Sequence, residues 1–238
     1  PGLAVEVLKT MAARGDKAIL QHVANVLSWP DDSRKGWAIQ FKDPQDYLEI
    51  IQNFERLPQL DFHVERCLDR LGQIAPMRVI DFIEQRIAAA HERKAEDERY
   101  DAVPFQFARA MDSIRNSAKY SDVLRHVRDW VLRDDFSFRW EAPHVLKAIS
   151  GGLDETLYAV LVEWVESGEI KKLQGVAVIL REFNEGDAFY KLSREIIRRS
   201  DDEAVLSEVK AVIGSTPGVI SGPMSAFYQT RLEAISPW

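Results

Sequence analysis

Histidine and cysteine offer the widest catalytic and metal-binding chemistry, and neither is arranged for it in this sequence. A zinc hydrolase helix needs two histidines four residues apart with a glutamate between them. None of the five histidines has such a partner; they are His22, His63, His91, His126 and His144. The only cysteine, Cys67, stands in the apolar triplet Val64, Cys67, Leu68. We interpret it as a small core residue, not as a nucleophile.

Paired carboxylates could act as general acid and base. The chain has adjacent aspartates at Asp31 and Asp32, at Asp134 and Asp135, and at Asp201 and Asp202. Each pair stands next to a predicted helix, where carboxylates accept from free amides and favour the positive end of the helix dipole. We interpret them as helix caps. Because the glycines match no phosphate-binding fingerprint, we name no catalytic, cofactor-binding or metal-ligating residue.

Two clusters of basic side chains could contact phosphate groups. The first is Arg125, His126, Arg128, Arg133 and Arg139, and the second is Lys191, Arg194, Arg198 and Arg199. Aspartates interrupt the first cluster, and the formal net charge of −7 repels a phosphate backbone. A nucleic-acid partner is therefore only the alternative interpretation.

The six tryptophans fall into two groups. Trp130 and Trp164 stand 34 residues apart at equivalent positions of the repeated pattern described below, which is typical of core anchors. The other four lie off the periodic faces and are Trp29, Trp37, Trp140 and Trp238. An exposed tryptophan often marks a contact surface.

The composition indicates a folded, cytoplasmic protein. Hydrophobic residues make up 46% of the 238 residues, which suffices for a substantial core. No apolar run reaches the roughly 18 residues that suggest a membrane span, and the N-terminus has no signal-peptide pattern. A single cysteine fits a reducing compartment. From the termini, Pro1-Gly2 and Pro237-Trp238, we expect a piece of a longer protein.

An apolar triplet with the spacing i, i+3, i+4 recurs along the chain and places three side chains on one helical face. The ten triplets begin at Val23, Tyr47, Val64, Val79, Val127, Val145, Leu161, Val176, Ser193 and Val209. From Val127 the steps are 18, 16, 15, 17 and 16 residues, which is one helix plus one turn. The pattern predicts an all-α fold, a HEAT-like α-solenoid of about twelve helices stacked as antiparallel hairpins.

Residues that typically begin or end helices lie at the ends of these predicted helices. The predicted N-caps are Ser121, Asp154, Asp187 and Asp202, the predicted first-turn prolines are Pro44 and Pro76, and the predicted C-terminal glycines are Gly15, Gly72, Gly168 and Gly214. The segment from Phe136 to Trp140 alternates briefly like a strand. We predict that it begins the helix of Val145 or forms the turn before it.

We predict one helical-repeat domain, 1–238, with N-terminal hairpins in 1–72, a charged insertion at 91–104 and regular hairpins in 105–238. The charged run 91–99 contains only one small apolar residue, and Pro104 disfavours further helix. We interpret the insertion as a helix overrun and a long loop with little packing. Trypsin should cut there first, since cleavage follows local opening.

Several stretches resemble the C-terminal helical-repeat regions of large bacterial STAND-type, NLR-like NTPases. They are Val127–Val131, Phe136–Ala142, Val145–Ile149, Gly218–Pro223 and Arg231–Trp238. The resemblance covers residues 60–238 and rests on repeat-packing motifs. It implies a sensor or regulatory array attached to an upstream nucleotide switch, with a role in antiviral defence. The chain has no Walker motif, so no NTPase residue is carried over.

These features favour a non-catalytic interaction, sensor or regulatory module for a protein partner or another domain of the same polypeptide. The alternative is a nucleic-acid-binding HEAT-like module or a HEAT-like DNA glycosylase, which needs aromatic side chains and a carboxylate in a basic groove. Asp129 or Asp134 near Trp130 and Trp140 is its candidate set. A structural spacer is the third interpretation.

Replacement of Trp164 by alanine should lower the free energy of unfolding by about 3–5 kcal/mol, the range for deleting a buried aromatic ring. Trp164 shares its predicted face with Leu157, Leu161 and Val165. Chemical denaturation measures the change. A loss below about 1 kcal/mol would mean that this face is exposed and that the repeat register is wrong.

Overall fold

The protein is described by a computed structural model that covers residues 2–28, 41, 43–103, 108–184 and 186–214. These residues form twelve α-helices and two short 3₁₀ helices, with no β-strand among them. The prediction of an all-α fold is confirmed. Within this described part, every helix is too short or too polar to cross a membrane. Trp29, Asp31, Asp32, Trp37, Pro104 and the stretch 218–238 lie outside the described residues.

The chain divides into two compact units, Pro1–Val123 and Leu124–Trp238. The first unit contains α1 (Gly2–Arg14), α2 (Lys17–Ser28), α3 (Pro44–Gln52), the 3₁₀ helix Asn53–Arg56, α4 (Phe62–Ile74), α5 (Pro76–Glu96) and α6 (Ala108–Arg115). Helix α7 (Tyr120–Asp129) includes the division point. The second unit continues with the 3₁₀ helix Trp130–Leu132, α8 (Phe136–Ser150), α9 (Glu155–Ser167), α10 (Ile170–Leu180), α11 (Gly186–Arg199) and α12 (Glu203–Gly214).

In the first unit, helices pack on their next and second-next neighbours. Helix α4 lies against α2, α5 and α6, and α1 lies against α2 and α3. Gly72 permits the close approach of α4 to α6, because a Cβ there would lie 3.2 Å from the Ala110 carbonyl oxygen. The prediction that Gly72 ends a helix is therefore wrong, since α4 continues to Ile74.

Helix α10 is the central element of the second unit, where it packs against α8, α9, α11 and α12. Its last six residues are all buried. Gly175 faces the Trp164 ring, and a Cβ at this position would lie 2.8 Å from that ring and 2.9 Å from a methyl carbon of Val131. The missing side chain thus makes room for the bulkiest side chain of α9.

The apolar triplets are buried with few exceptions. Trp130 and Trp164 both lie in the core, as predicted. Val26 and Ala148 are exposed, and Ile213 is partly exposed. Both exposed residues hold the i+3 position of their triplet, at the edge of the apolar stripe, where a side chain can reach solvent.

The predicted helix ends are confirmed at five positions. Asp154 and Asp202 are N-caps, Pro44 and Pro76 lie in the first helical turn, and Gly168 is a C-cap. Ser121 and Asp187 are not N-caps, because α7 and α11 begin one residue before them, at Tyr120 and Gly186. Phe136 begins α8, and Asp135 caps it by accepting from the Ser137 amide at 2.8 Å. The brief alternation after Phe136 is therefore helical.

The predicted insertion has two parts. Helix α5 runs on to Glu96, in agreement with the predicted overrun. The following residues are docked, because Tyr100 and Ala102 are buried and the Asp101 amide donates to the Pro58 carbonyl oxygen at 2.9 Å. The expectation of little packing is therefore wrong for residues 100–102. A buried arginine, described below, supplies the contacts that the sequence pattern did not indicate.

Replacement of Gly175 by alanine should destabilise the fold by about 1–3 kcal/mol, the usual cost of overpacking. The added methyl group would overlap Trp164 and Val131. The control is Gly152→Ala, because a Cβ at Gly152 would meet nothing within 4 Å. Thermal and chemical denaturation measure both variants, and equal losses would contradict the close helix contact.

Candidate functional site

The structure buries one of the two aromatic residues that the glycosylase alternative requires. Trp130 is fully buried and packs edge-on against Phe138, with ring centroids 5.6 Å apart. It therefore does not project into a groove. Asp129 forms an ion pair with Arg128 at 3.0 Å. Of the two aromatic candidates, only Trp140 is exposed.

Two of the five residues in the first basic cluster, Arg125 and Arg128, contact one carboxylate, Glu163 of α9. Its oxygens lie 2.6 Å from Arg125 Nη2 and 3.0 Å from Arg128 Nη1. These guanidinium groups lower the pKa of Glu163. Arg128 also lies 4.3 Å from the Trp164 ring centroid and donates to the Val160 carbonyl oxygen. The contacts of Arg125 and Arg128 therefore hold α7 against α9.

Three of the four residues in the second basic cluster lie around Glu195 on α11. Its carboxylate lies 3.1 Å from Arg198, 3.9 Å from Arg199 and 4.0 Å from Arg194. Exposed pairs of this kind add little stability. They do reduce the positive charge that a phosphate backbone would meet.

Two reactive side chains serve packing in the first unit. Burial raises the pKa of the Cys67 thiol to about 12, so the nucleophilic thiolate is suppressed. His63 joins α2 to α4, with Nδ1 2.7 Å from Ser28 Oγ and Nε2 3.0 Å from Asn25 Nδ2. The Ser28 hydroxyl also donates to the Asn25 carbonyl oxygen at 2.9 Å. This cluster ties the end of α2 to the first turn of α4.

One candidate site is an exposed aromatic row on α8. Phe136 is 74% exposed and Trp140 is 56% exposed, and their rings stack with centroids 6.2 Å apart and planes 23° apart. The His144 ring follows one turn later, 5.7 Å from Trp140. We call Phe136, Trp140 and His144 the α8 aromatic surface. Sequence reasoning identified Trp140 as off the periodic face but missed Phe136, which the strand-like alternation obscured.

A second candidate is a cleft of about 510 Å³ in the first unit, beside the 3₁₀ helix Asn53–Arg56 and α5. We call it the α5 cleft. It is lined by Gln52, Glu55, Gln85, Ala88, Ala89, Arg93 and Tyr100. Sequence reasoning missed it because these residues form no motif and come together only when α3, α5 and the docked segment pack.

A buried guanidinium group holds one wall of the α5 cleft. Arg86 is fully buried and donates to backbone carbonyl oxygens of Leu57 at 2.6 Å, Glu55 at 2.8 Å and Ala102 at 3.1 Å, and to that of Asp101. Its guanidinium carbon lies 4.5 Å from the Tyr100 ring centroid. Burial lowers the pKa of Arg86. The Tyr100 hydroxyl donates back to the Arg86 carbonyl oxygen at 3.2 Å.

The polar groups that line the cleft have few protein partners. Partial burial raises the pKa of Glu55, although the guanidinium groups of Arg93, Arg56 and Arg86 act in the opposite direction. Among the described residues, no hydrogen bond or ion pair reaches the Glu55 carboxylate or the side-chain amides of Gln52 and Gln85. Concave sites with unpartnered polar groups and a shifted pKa are candidates for ligand binding.

Comparisons of the chain with protein-family models, curated proteins and solved structures gave no significant match. The α8 aromatic surface and the α5 cleft are therefore the basis for a function.

Replacement of Arg86 by methionine should destabilise the fold by about 3 kcal/mol or more, since each buried carbonyl left without a donor costs about 1–3 kcal/mol. The docked segment should also open, so trypsin should cut after Arg99 faster than in the unmodified protein. The control is Arg78→Met, which removes only an exposed ion pair with Asp81. Denaturation and timed proteolysis with mass spectrometry measure the two effects. Unchanged cleavage at Arg99 would show that Arg86 does not hold the segment.

Proposed function

We propose that this chain is a non-catalytic, HEAT-like helical-repeat interaction module whose α8 aromatic surface contacts a protein partner or another domain of the same polypeptide. The observation that carries this proposal is the exposure of two stacked aromatic rings, Phe136 and Trp140. Tryptophan is among the residues most enriched at the energetic centres of protein interfaces.

The local structure of α8 prepares these rings for binding. Asp135 caps the first turn, and Phe138, between the two exposed rings in sequence, is buried with the Arg133 guanidinium carbon 4.3 Å from its ring centroid. The helix therefore holds both rings in place before a partner arrives. Because little conformational freedom is lost on binding, more of the contact energy appears as affinity.

The surroundings of the rings also suit a protein partner. His144, the last ring of the row, lies 3.4 Å from the Glu182 carboxylate, and Lys147 lies 3.5 Å from it. An apolar centre with a polar rim of mixed charge is typical of protein interfaces. A nucleic-acid partner would instead favour a positive groove, and Arg125 and Arg128 are already paired with Glu163.

The helix contacts support the repeat architecture. In the second unit, α8 packs on α10, α9 on α10 and α11, and α10 on α12. The first unit has the same relation between α1 and α3, α2 and α4, and α4 and α6. Contacts between each helix and its second-next neighbour are expected where repeats stack on adjacent repeats. Such arrays commonly present binding surfaces.

On the sequence resemblance, we further propose that the module is cytoplasmic and is the sensor or regulatory region of a bacterial NTPase-linked defence protein. The complete reading frame tests this proposal. An upstream domain with a Walker motif would support it, and a reading frame without a nucleotide-binding domain would contradict it.

Photo-crosslinking tests the interaction role directly. A benzoylphenylalanine at position 140 of the full-length protein in its native cells should form adducts with one protein or with another domain of the same polypeptide. The matched position is 170 on α10, where Ile170 is 50% exposed. Adducts to nucleic acid, or the same adducts from both positions, would contradict the proposal.

Replacement of Trp140 by alanine should then weaken binding of the identified partner by about thirtyfold, which corresponds to the ~2 kcal/mol of an interface hot spot. The Ile170→Ala variant should bind normally. Isothermal titration calorimetry measures both affinities. The denaturation midpoint of Trp140→Ala should stay nearly unchanged because the ring is largely exposed, and unaltered partner affinity would rule this surface out.

A further inference from the structure

The α5 cleft is separate from the α8 aromatic surface and takes no part in the role proposed for it. We propose that the cleft binds a small zwitterion of the α-amino acid type, with its ammonium group at Glu55 and its carboxylate at Arg93. This inference rests on the shape of the cleft, the charges that line it and the unpartnered polar groups within it.

The cleft has the size and rigidity of a ligand site. Its volume of about 510 Å³ falls in the roughly 300–1,000 Å³ that small-molecule sites occupy. The Arg86 guanidinium fixes the backbone of Glu55 on one side and stacks on Tyr100 on the other. Because one buried group joins Glu55 to Tyr100, this wall of the cleft is in place before a ligand enters. Ala88 and Ala89 contribute only methyl groups and leave the space open.

The charges in the cleft discriminate between ligand classes. A simple cation would be attracted by the Glu55 carboxylate. It would be repelled by the guanidinium group of Arg93, which lines the cleft, and by those of Arg56 and Arg86, whose charges also act on Glu55. A simple anion would leave the partly buried Glu55 carboxylate without a partner and would be repelled by it. A ligand with both charges satisfies Glu55 and Arg93 together, so a zwitterion complements the cleft best.

The Arg93 guanidinium group can exchange its protein partner for a ligand carboxylate. Its protein partner, Glu96, lies 3.2 Å away and is 68% exposed. An exposed ion pair of this kind contributes about 0–1 kcal/mol, so a ligand carboxylate can replace it at little cost. The amides of Gln52 and Gln85 each offer a donor and an acceptor for the polar atoms of the ligand.

A second, much smaller depression shares Gln52 and Gln85 with the cleft and has a volume of only about 10 Å³. This space holds at most a water-sized group, so it is too small for a ligand side chain.

Calorimetric titration of the purified chain with each of the twenty free L-amino acids tests the proposal. At least one should bind with a Kd below about 10 mM. Its N-acetyl derivative lacks the ammonium charge and its carboxamide lacks the carboxylate, and each should bind at least about tenfold more weakly. Binding should shift the side-chain amide resonances of Gln52 and Gln85 in NMR spectra.

Matched variants separate direct contact from a general charge effect. Glu55→Gln and Arg93→Gln should each weaken binding at least about tenfold. Exposed neighbours outside the cleft lining supply the controls Glu92→Gln and Lys94→Gln, which change charge equally and should bind normally. Circular dichroism confirms that each variant is folded.

A steric variant tests the site without a change in charge. Ala88→Leu narrows the cleft and should weaken binding, whereas Ala95→Leu, at an exposed position outside the lining, should not affect it. The proposal is overturned if none of the twenty amino acids binds. It is also overturned if binding survives both Glu55→Gln and Ala88→Leu, or if the acetylated and amidated derivatives bind as tightly as the free amino acid.

Discussion

The fold depends on one constraint, which is that each helix must bury a single apolar stripe against its next and second-next neighbours. The triplets at Val64, Val79 and Leu161 lie in the core, on helices that pack against their neighbours. The hydrophobic effect that drives this packing is not directional. The relative position of two packed helices is set by close contacts, such as Gly72 of α4 against α6 and Gly175 of α10 against Trp164. The helix order then determines which loops and exposed faces come together.

Two buried arginines show how this apolar packing accommodates charge. Arg86 gives its donors to backbone carbonyl oxygens and lies over Tyr100, while Arg128 lies over Trp164 and reaches Val160 and Glu163. In both cases a planar guanidinium group stacks on an aromatic ring and satisfies its donors at the edge. Since a buried charge without partners would cost several kcal/mol, these contacts let polar side chains join separate elements of the fold. Arg86 joins the irregular segment after α5 to the residues around Glu55 and Leu57.

The two proposed binding regions are places where the packing rule leaves groups unsatisfied. On α8, two large rings remain in water although their helix has an apolar stripe elsewhere. In the α5 cleft, a carboxylate is partly desolvated without receiving a hydrogen bond or ion pair from the described residues. Both conditions carry a free-energy cost that a partner or ligand can remove. They differ in chemistry, because the first surface is apolar with a polar rim and the second is polar with a small apolar floor.

The sequence by itself determined the helices and their buried faces. Spacing at i, i+3 and i+4 follows from the helical repeat, so the all-α class, the core positions of Trp130 and Trp164, and the caps at Asp154 and Asp202 were predictable from local pattern. Only the tertiary structure decided the docking of Tyr100, the pairing of Arg125 and Arg128 with Glu163, and the assembly of the α5 cleft from three segments. These features depend on contacts between residues distant in sequence, and no local periodicity encodes which polar side chains meet across a helix interface.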